Sequence, residues 1–239
     1  MNAEQKDTTN TPVHEYDENK FYRIINNTQS NYANQLRRLK RNSKRSSAII
    51  IYYSVSLIIY SLSIKFFPAI FNANVTSFAG IVLSIVVLVY SIINGNSRYP
   101  ERIASVQNGL NKMKSLKREL GKNGNVEQVK KEYENTVNSI EVREDIDFYL
   151  TVIQLCKQYG ISPWTGKDRK KNNYKPEEDE QYIKAIKNEI RGYLTEIVPI
   201  KHRLLSIFID VWHVILYLIP VIVFSLCILS KFHFTALFS

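Results

Sequence analysis

AIIIYYSVSLIIYSLSIKFF, residues 48–67, and VTSFAGIVLSIVVLVYSIIN, residues 75–94, decide how this chain folds. The first stretch carries one charge, Lys65, near its far end, and the second carries none. At about 1.5 Å of rise per residue, twenty helical residues reach about 30 Å, the hydrocarbon thickness of a bilayer. The seven residues between them, 68–74, are also uncharged. The pair therefore predicts two membrane-spanning helices joined as a hairpin. A buried helix of a water-soluble domain would account for one such run, but poorly for two in close succession. The mean hydropathy of −0.20 hides the pattern, because it averages these runs with strongly charged segments.

Working outward, a third uncharged stretch covers residues 211–230, with apolar character from Leu204 onward. It predicts a C-terminal span, with Asp210 near its start and Pro220 in its middle. The residues before position 48 are polar, unlike a cleaved signal peptide, so the first span is expected to remain in the mature protein. Four segments follow: an amphipathic helix over 1–47, the hairpin over 48–94, a helical domain over 95–199, and a membrane segment with a short tail over 200–239.

Charge sets the expected orientation. Ahead of the first span lies Arg37-Arg38-Leu39-Lys40-Arg41-Asn42-Ser43-Lys44-Arg45, with six basic residues and no acid. Arg98 and Arg102 follow the second span, and Lys201-His202-Arg203 precedes the third. The positive-inside rule then places residues 1–47 and 95–199 in the cytoplasm of a multi-pass inner-membrane protein, with the 68–74 loop and the tail after Lys231 outside. Residues 1–47 hold nine basic and five acidic side chains, and residues 95–203 hold twenty-one and sixteen, so these parts carry +4 and +5 of the total +10. Arg37, Arg38, Lys40, Arg41, Lys44 and Arg45 read as a patch that fixes orientation and binds anionic headgroups, at about 1 kcal/mol per residue near the surface. No nucleic-acid recognition motif accompanies the charge, and direct nucleic-acid binding is not expected.

The soluble parts read as helices. Phe21, Ile25, Thr28, Tyr32, Leu36 and Leu39 form one stripe that runs toward the first span without an intervening Pro or Gly. A second helix starts after Asn96 and Ser97 with Pro100 in its first turn. Its seam of Ile103, Val106, Leu110, Met113, Leu116 and Leu120 is close to a heptad, which calls for a partner helix, and Gly121 can cap it. Val126, Val129, Tyr133, Val137 and Ile140 continue the pattern, and a further helix is expected from about Glu144 to Tyr159, ending at Gly160. Residues 161–176 read as a linker. A last soluble helix over 177–198 places Tyr182, Ile186, Ile190, Leu194 and Ile197 on one face, with Glu177, Glu178, Asp179 and Glu180 in its first turn, where the helix dipole favours anions. The fold class is thus an all-α membrane protein: a transmembrane hairpin, cytoplasmic amphipathic and coiled-coil-like helices, and a third C-terminal transmembrane helix.

Candidate functional residues are few. Ser47, Ser54 and Ser61 repeat every seven residues in the first span, as do Ser77, Ser84 and Ser91 in the second. A seven-residue step returns to nearly the same helix face, drifting by about 20°. The stripes suit close helix packing, as in a contact through Gly80 and Ser84, and equally an aqueous path lined by several copies. One hairpin cannot enclose a pore, so conduction requires a homo-oligomer. Asp210 and His213 are one turn apart and could face each other, although Asp210 also fits the headgroup edge of the span. Trp212 and Tyr217 read as interface anchors. Asp145 and Asp147, two apart, point to different sides of a helix and read as solvated.

Cys156 and Cys227 belong to different compartments and are not expected to pair. His14, His202, His213 and His233 lack ligand spacing, so no metal or other cofactor is expected. No phosphate-cradling glycine loop, nucleophile elbow or paired-carboxylate motif is present, and an enzyme is not expected.

Ile24-Ile25-Asn26-Asn27-Thr28 with Tyr32-Ala33 and Leu36-Arg37-Arg38-Leu39-Lys40 leads directly into the hairpin. Tyr99-Pro100-Glu101-Arg102 then opens the heptad helix, followed by Tyr133, Asn138-Ser139 and Asp145-Ile146-Asp147-Phe148. Over roughly residues 20–160 this succession resembles the SLATT family, the SMODS- and SLOG-associating two-transmembrane effector domains, and most closely the branch found beside reverse transcriptases. The resemblance implies a pore-forming effector of a bacterial conflict system. A cytoplasmic sensor, nucleotide-signal system or reverse transcriptase would hold it quiet, and release would permeabilise the inner membrane and kill or arrest an infected cell. The third span is additional to the two-span core. The alternative reading is a non-conducting tether whose helical domain recruits a cytoplasmic partner.

Overall fold

The computed structural model describes residues 12–71, 73–121, 125–168, 180–196 and 199–237, and among these it is all-α. Seven helices follow one another: α1 (Pro12–Phe66), α2 (Ala73–Asn96), α3 (Tyr99–Leu120), α4 (Val126–Ser139), α5 (Asp145–Gln158), α6 (Glu180–Glu196) and α7 (Pro199–Leu237). The expected acids Glu177, Glu178 and Asp179, together with Ile197 and residues 169–176 of the expected linker, lie outside the described residues. The chain divides into two compact units, one of Met1–Arg38 with Pro100–Pro199 and one of Leu39–Tyr99 with Ile200–Ser239. As the absence of Pro and Gly predicted, α1 runs uninterrupted into the first span and contributes residues to both units.

In the first unit the predicted stripes face inward. Phe21, Ile25, Tyr32 and Leu36 of α1 are buried, as are Val106, Leu110, Met113, Leu116 and Leu120 of α3. The heptad seam finds its cover within the chain: the Ile140 side chain occupies the space a Cβ at Gly109 would need, and Lys112 pairs with Glu132 of α4 at 2.6 Å. That pairing holds the Lys112 ammonium above its ordinary pKa and the Glu132 carboxyl below its own. Each remaining helix also reaches α1. Lys117 of α3 donates to Asn26, Tyr133 of α4 shares a 2.8 Å hydrogen bond with Thr28, and Arg23 pairs with Glu189 of α6 at 3.1 Å.

Termini in this unit follow capping chemistry. The Asn125 side chain accepts from the backbone of Glu127 and Gln128 to start α4. Gly160, at φ 67°, ends α5 in a left-handed turn, and the Ile161 amide donates to the Cys156 carbonyl at 2.8 Å. This six-residue closure is the Schellman arrangement. It delivers Ile161 into a core with Val152, Cys156, Ile186 and Ile190.

The expectation that Asp147 is solvated is overturned. Asp145 is exposed, but Asp147 is 0% exposed. Its carboxylate accepts from Arg38 Nε at 3.0 Å and Arg38 Nη2 at 2.9 Å, and from the Glu144 backbone N–H at 3.2 Å. The last bond is half of a capping box, which turns the third residue of α5 back toward its N-terminus and so inward. Burial alone would lower the Arg38 pKa, but the hydrogen bonds and charges of Asp147 and Glu144 outweigh it and raise the guanidinium above its ordinary value.

The second unit holds the membrane part of α1, together with α2 and α7. Three regions, Lys20–Phe66, Asn74–Leu120 and Ile207–Leu229, contain windows long and apolar enough to cross a membrane, with only 17% of each window buried. Side chains such as Ile58, Phe78, Ile85 and Leu88 therefore face outward, forming an apolar surface far larger than water tolerates on a monomer. The chain is accordingly a multi-pass membrane protein. Arg45 meets Asp210, Tyr53 meets Leu216, and Tyr60 meets Cys227. Residue numbers rise together along both helices, so α7 runs parallel to the first span and α2 returns between their levels.

Pro220 explains the central contact. A proline inside a helix removes the N–H that would reach the carbonyl four residues earlier, here that of Leu216. In hydrocarbon a freed carbonyl needs another donor. Tyr53 Oη supplies it at 2.8 Å, and Tyr52 Oη donates to the next carbonyl, Tyr217, at 3.1 Å. The helix thus continues through the proline.

Two outcomes follow. Asp147→Ala leaves Arg38 with only the more exposed Glu144 as an acidic partner and should destabilise the purified chain by about 3 kcal/mol in thermal unfolding, whereas Asp145→Ala should stay within about 0.5 kcal/mol of the parent. Tyr53→Phe should cost about 1–2 kcal/mol in the parent chain, and clearly less in a Pro220→Ala background, where the restored amide reaches Leu216 itself. Equal costs in both backgrounds of this double-mutant cycle would refute the assignment of that bond.

Candidate functional site

The centre of the membrane unit is filled. Ile49, Tyr53, Leu83 and Leu216 form one buried cluster, and Tyr60, Phe71, Ala79 and Cys227 form another. Edge-on aromatic contacts of Phe224 with Phe71 and Tyr60, at 5.4 and 6.3 Å, close the second. Tyr217, expected as an interface anchor, packs against Tyr52 at 5.5 Å, while Trp212 is exposed and stacks on Phe208. Beside these clusters a cavity of about 260 Å³ remains between the three helices, lined by Tyr52, Tyr60, Leu83, Pro220 and Phe224.

The serines sit elsewhere. Ser61, Ser77, Ser84 and Ser91 are exposed and Ser54 is half-buried. Ser61 donates to the Leu57 carbonyl at 2.9 Å and Ser84 to the Gly80 carbonyl at 2.8 Å, the local bonds a hydroxyl makes when no other partner competes. A Cβ at Gly80 would meet nothing within 4 Å. Among the described residues Gly80 thus makes no close contact with another helix of the same chain. The residues that do turn inward, Ser46, Tyr53 and Tyr60, repeat with the same seven-residue step, one position before the serines. One residue is about 100° around a helix, which separates the two lines.

The basic stretch also divides. Arg38 is held by Asp147 and by Glu144, the latter at 2.5 Å, and Arg45 pairs with Asp210 at 2.8 Å. Asp210 therefore faces Arg45 rather than His213, whose ring nitrogen bonds to the Ile209 carbonyl. Arg37, Lys40, Arg41 and Lys44 remain exposed and free to meet headgroups. Cys156 and Cys227 are both buried and form no disulfide with each other.

The tyrosines 52, 53 and 60 were not singled out from the sequence, although the seven-residue step from Tyr53 to Tyr60 is visible there. In the sequence Arg38 belongs to the basic patch that fixes orientation and binds headgroups. Its partner lies 109 residues away, a separation that no local spacing encodes.

Comparison with protein families matches residues 14–227 to the SMODS and SLOG-associating 2TM effector domain family 5. No curated protein and no solved structure matches the chain. The matched region covers the first two candidate spans, all but the last two residues of the third and most of both units, well beyond the stretch whose motifs carry the resemblance. The match extends over most of a chain in which α1 leads without interruption into the hairpin, and the chain belongs to the SLATT effector domains, family 5.

Proposed function

We propose that this chain is the membrane effector of a bacterial conflict system, which acts without catalysis. Several copies assemble in the inner membrane and, on a cytoplasmic signal, open a path for ions that kills or arrests the cell. The observation that carries the reading is the placement of Ser77, Ser84 and Ser91 on the outer face of α2, while the unit's own centre is packed with large side chains. A stripe of hydroxyls directed at hydrocarbon does little for one chain. Set against further copies it supplies both close approach of backbones and a polar lining.

The orientation in this reading has residues 1–47 and 95–199 in the cytoplasm, as the excess of basic residues there favours. The family's association with SMODS and SLOG systems supports a signalling partner on that side, and a reverse transcriptase is a further candidate partner. The tether reading loses its main argument, because the α3 seam offered as its recruiting surface is buried within the chain's own unit.

Membrane potential tests the proposal. Expression of the intact chain in bacteria, followed with a voltage-sensitive dye, should depolarise the cells. A variant with Ser54, Ser61, Ser84 and Ser91 replaced by leucine should still insert but leave the potential unchanged. Equal depolarisation by both chains would remove the serines from the path. An inserted, assembled chain that never depolarises when its partner system is co-expressed would return the tether to first place.

A further inference from the structure

The cavity of about 260 Å³ in the membrane unit is a slot between α1 and α7 with Leu83 of α2 as its floor. Ile59 on one side and Val221 on the other are 54% and 55% exposed, whereas Leu83 is 1% exposed, so the slot opens on the outer face of the unit, toward hydrocarbon. Its two ends are bridged. Tyr52 Oη donates to the Tyr217 carbonyl at 3.1 Å, and Tyr60 Oη shares a 2.8 Å hydrogen bond with Cys227. The third hydroxyl in the lining, that of Ser56, donates to the Tyr52 carbonyl at 2.8 Å. A water needs roughly 2–4 polar partners, which these already bonded groups do not offer, so the slot suits an apolar occupant. Because its walls are hydrogen-bonded to each other at both ends, the gap is narrower than a third helix, about 10–12 Å across. An unbranched chain fits where a helix does not.

Charge marks where the head of such a chain would sit. With about 100° of turn per residue, Arg41, Arg45, Tyr52, Ser56 and Ile59 fall within about 60° of one another around α1. The face that lines the slot therefore carries two guanidiniums at its basic end, Arg45 paired with Asp210 at 2.8 Å and Arg41 exposed one turn earlier. Depth agrees with this register. At about 1.5 Å per residue, Tyr52 and Tyr60 lie about 10 and 22 Å beyond Arg45. In a bilayer about 40–45 Å thick with a hydrocarbon core of about 30 Å, the acyl chains of one leaflet run from about 5–7 Å to about 20–22 Å below its outer surface. A chain hung from a phosphate beside Arg41 and Arg45 thus reaches the slot with its distal part.

We propose that the slot holds one acyl chain of an anionic phospholipid, its phosphate beside Arg41 and Arg45 and the chain passing over Tyr52 into the space between Ser56, Pro220 and Phe224. Hydrocarbon gains nothing hydrophobic by leaving the bilayer for an apolar slot, so selection rests on the headgroup charge joined to a chain long enough to reach. A free phosphate leaves the slot empty, and an uncharged lipid leaves Arg41 unanswered. The inference stands apart from the pore reading, since it concerns one protein chain and its lipid and needs no membrane current.

Native mass spectrometry of the full chain, delipidated in detergent micelles and titrated with one lipid at a time, tests it. The probes are dioleoylphosphatidylglycerol, dioleoylphosphatidylcholine, dihexanoylphosphatidylglycerol, whose chains are too short to reach past Tyr52, and glycerol 3-phosphate. One dioleoylphosphatidylglycerol should bind per chain, at least about fivefold more tightly than the phosphatidylcholine and about tenfold more tightly than the short-chain lipid or the free phosphate. Arg41→Gln should weaken it about fivefold, and Lys40→Gln, an exposed cation about 100° away around α1, should not. Ser56→Phe, which fills the slot, should weaken it about tenfold, while Ile58→Phe, on the opposite outer face, should leave it unchanged. The short-chain and Arg41 comparisons alter nothing inside the slot, so they decide the matter even where Ser56→Phe disturbs packing. Equal binding of the two dioleoyl lipids, equal binding of the dihexanoyl lipid, or full affinity in Ser56→Phe would each overturn the assignment. A dimer that dissociates in Ser56→Phe with lipid binding unchanged would give the slot to a second copy instead.

Discussion

One uninterrupted helix, α1, constrains the rest of the molecule, because every other helix makes its contacts with one stretch of it or another. Its first half presents Arg23, Asn26, Thr28 and Arg38 to α6, α3, α4 and α5 in turn. Its second half presents Arg45, Tyr53 and Tyr60 to α7, and Ile49 and Tyr53 to Leu83 of α2. A helix satisfies its own backbone along its length, so what differs between the two halves is the surrounding medium and hence the kind of contact that holds. In the first half the strongest is a bidentate ion pair withdrawn from water. In the second it is a phenol that completes a carbonyl.

Those two contacts answer the same demand from opposite directions. Asp147 is a charge that burial would penalise by several kcal/mol were Arg38 absent. The Leu216 carbonyl is a neutral group that a proline has deprived of its donor. Both are made tolerable by a side chain of α1, and neither has a substitute nearby among the described residues. A change in α1 at Arg38 or Tyr53 therefore exposes a cost located on another helix, far away in sequence.

What could be read from the sequence follows the contrast between each segment and its medium. In the first unit polar and apolar positions alternate at helical spacing, so the stripes at Phe21 to Leu36 and Val106 to Leu120 announce their inward faces. Capping signals at Pro100, Gly121 and Gly160 are equally local and equally visible. Inside the spans that contrast vanishes, because lipid is as apolar as a packed interior. The seven-residue repeat is plain, but nothing in it tells whether the line of Ser54 and Ser61 or the line of Tyr53 and Tyr60 turns inward. The tyrosines do, because Leu216 needs a donor, and that need is written by Pro220 in another helix. Asp147 escaped for a related reason. Its separation from Asp145 was read as two exposed faces, while its function as the return arm of a capping box, with Arg38 opposite, depends on tertiary contact.

The third candidate span changes what a path through this protein would have to be. In a bare hairpin, one side of each helix is open and a neighbouring copy can close against either. Here α7 lies parallel to the first span and fills one flank with Leu216, Phe224 and Cys227, so that side of the hairpin is covered by the chain itself. Among the described residues the exposed serines Ser77, Ser84 and Ser91 of α2, with Ser61 of α1, lie on the outer surface of this unit. On the proposed reading, an ion path must then run between chains, with α2 facing it and α7 behind. Opening would change how copies meet rather than how one chain is packed, and that is consistent with a unit whose internal bonds leave little room for rearrangement.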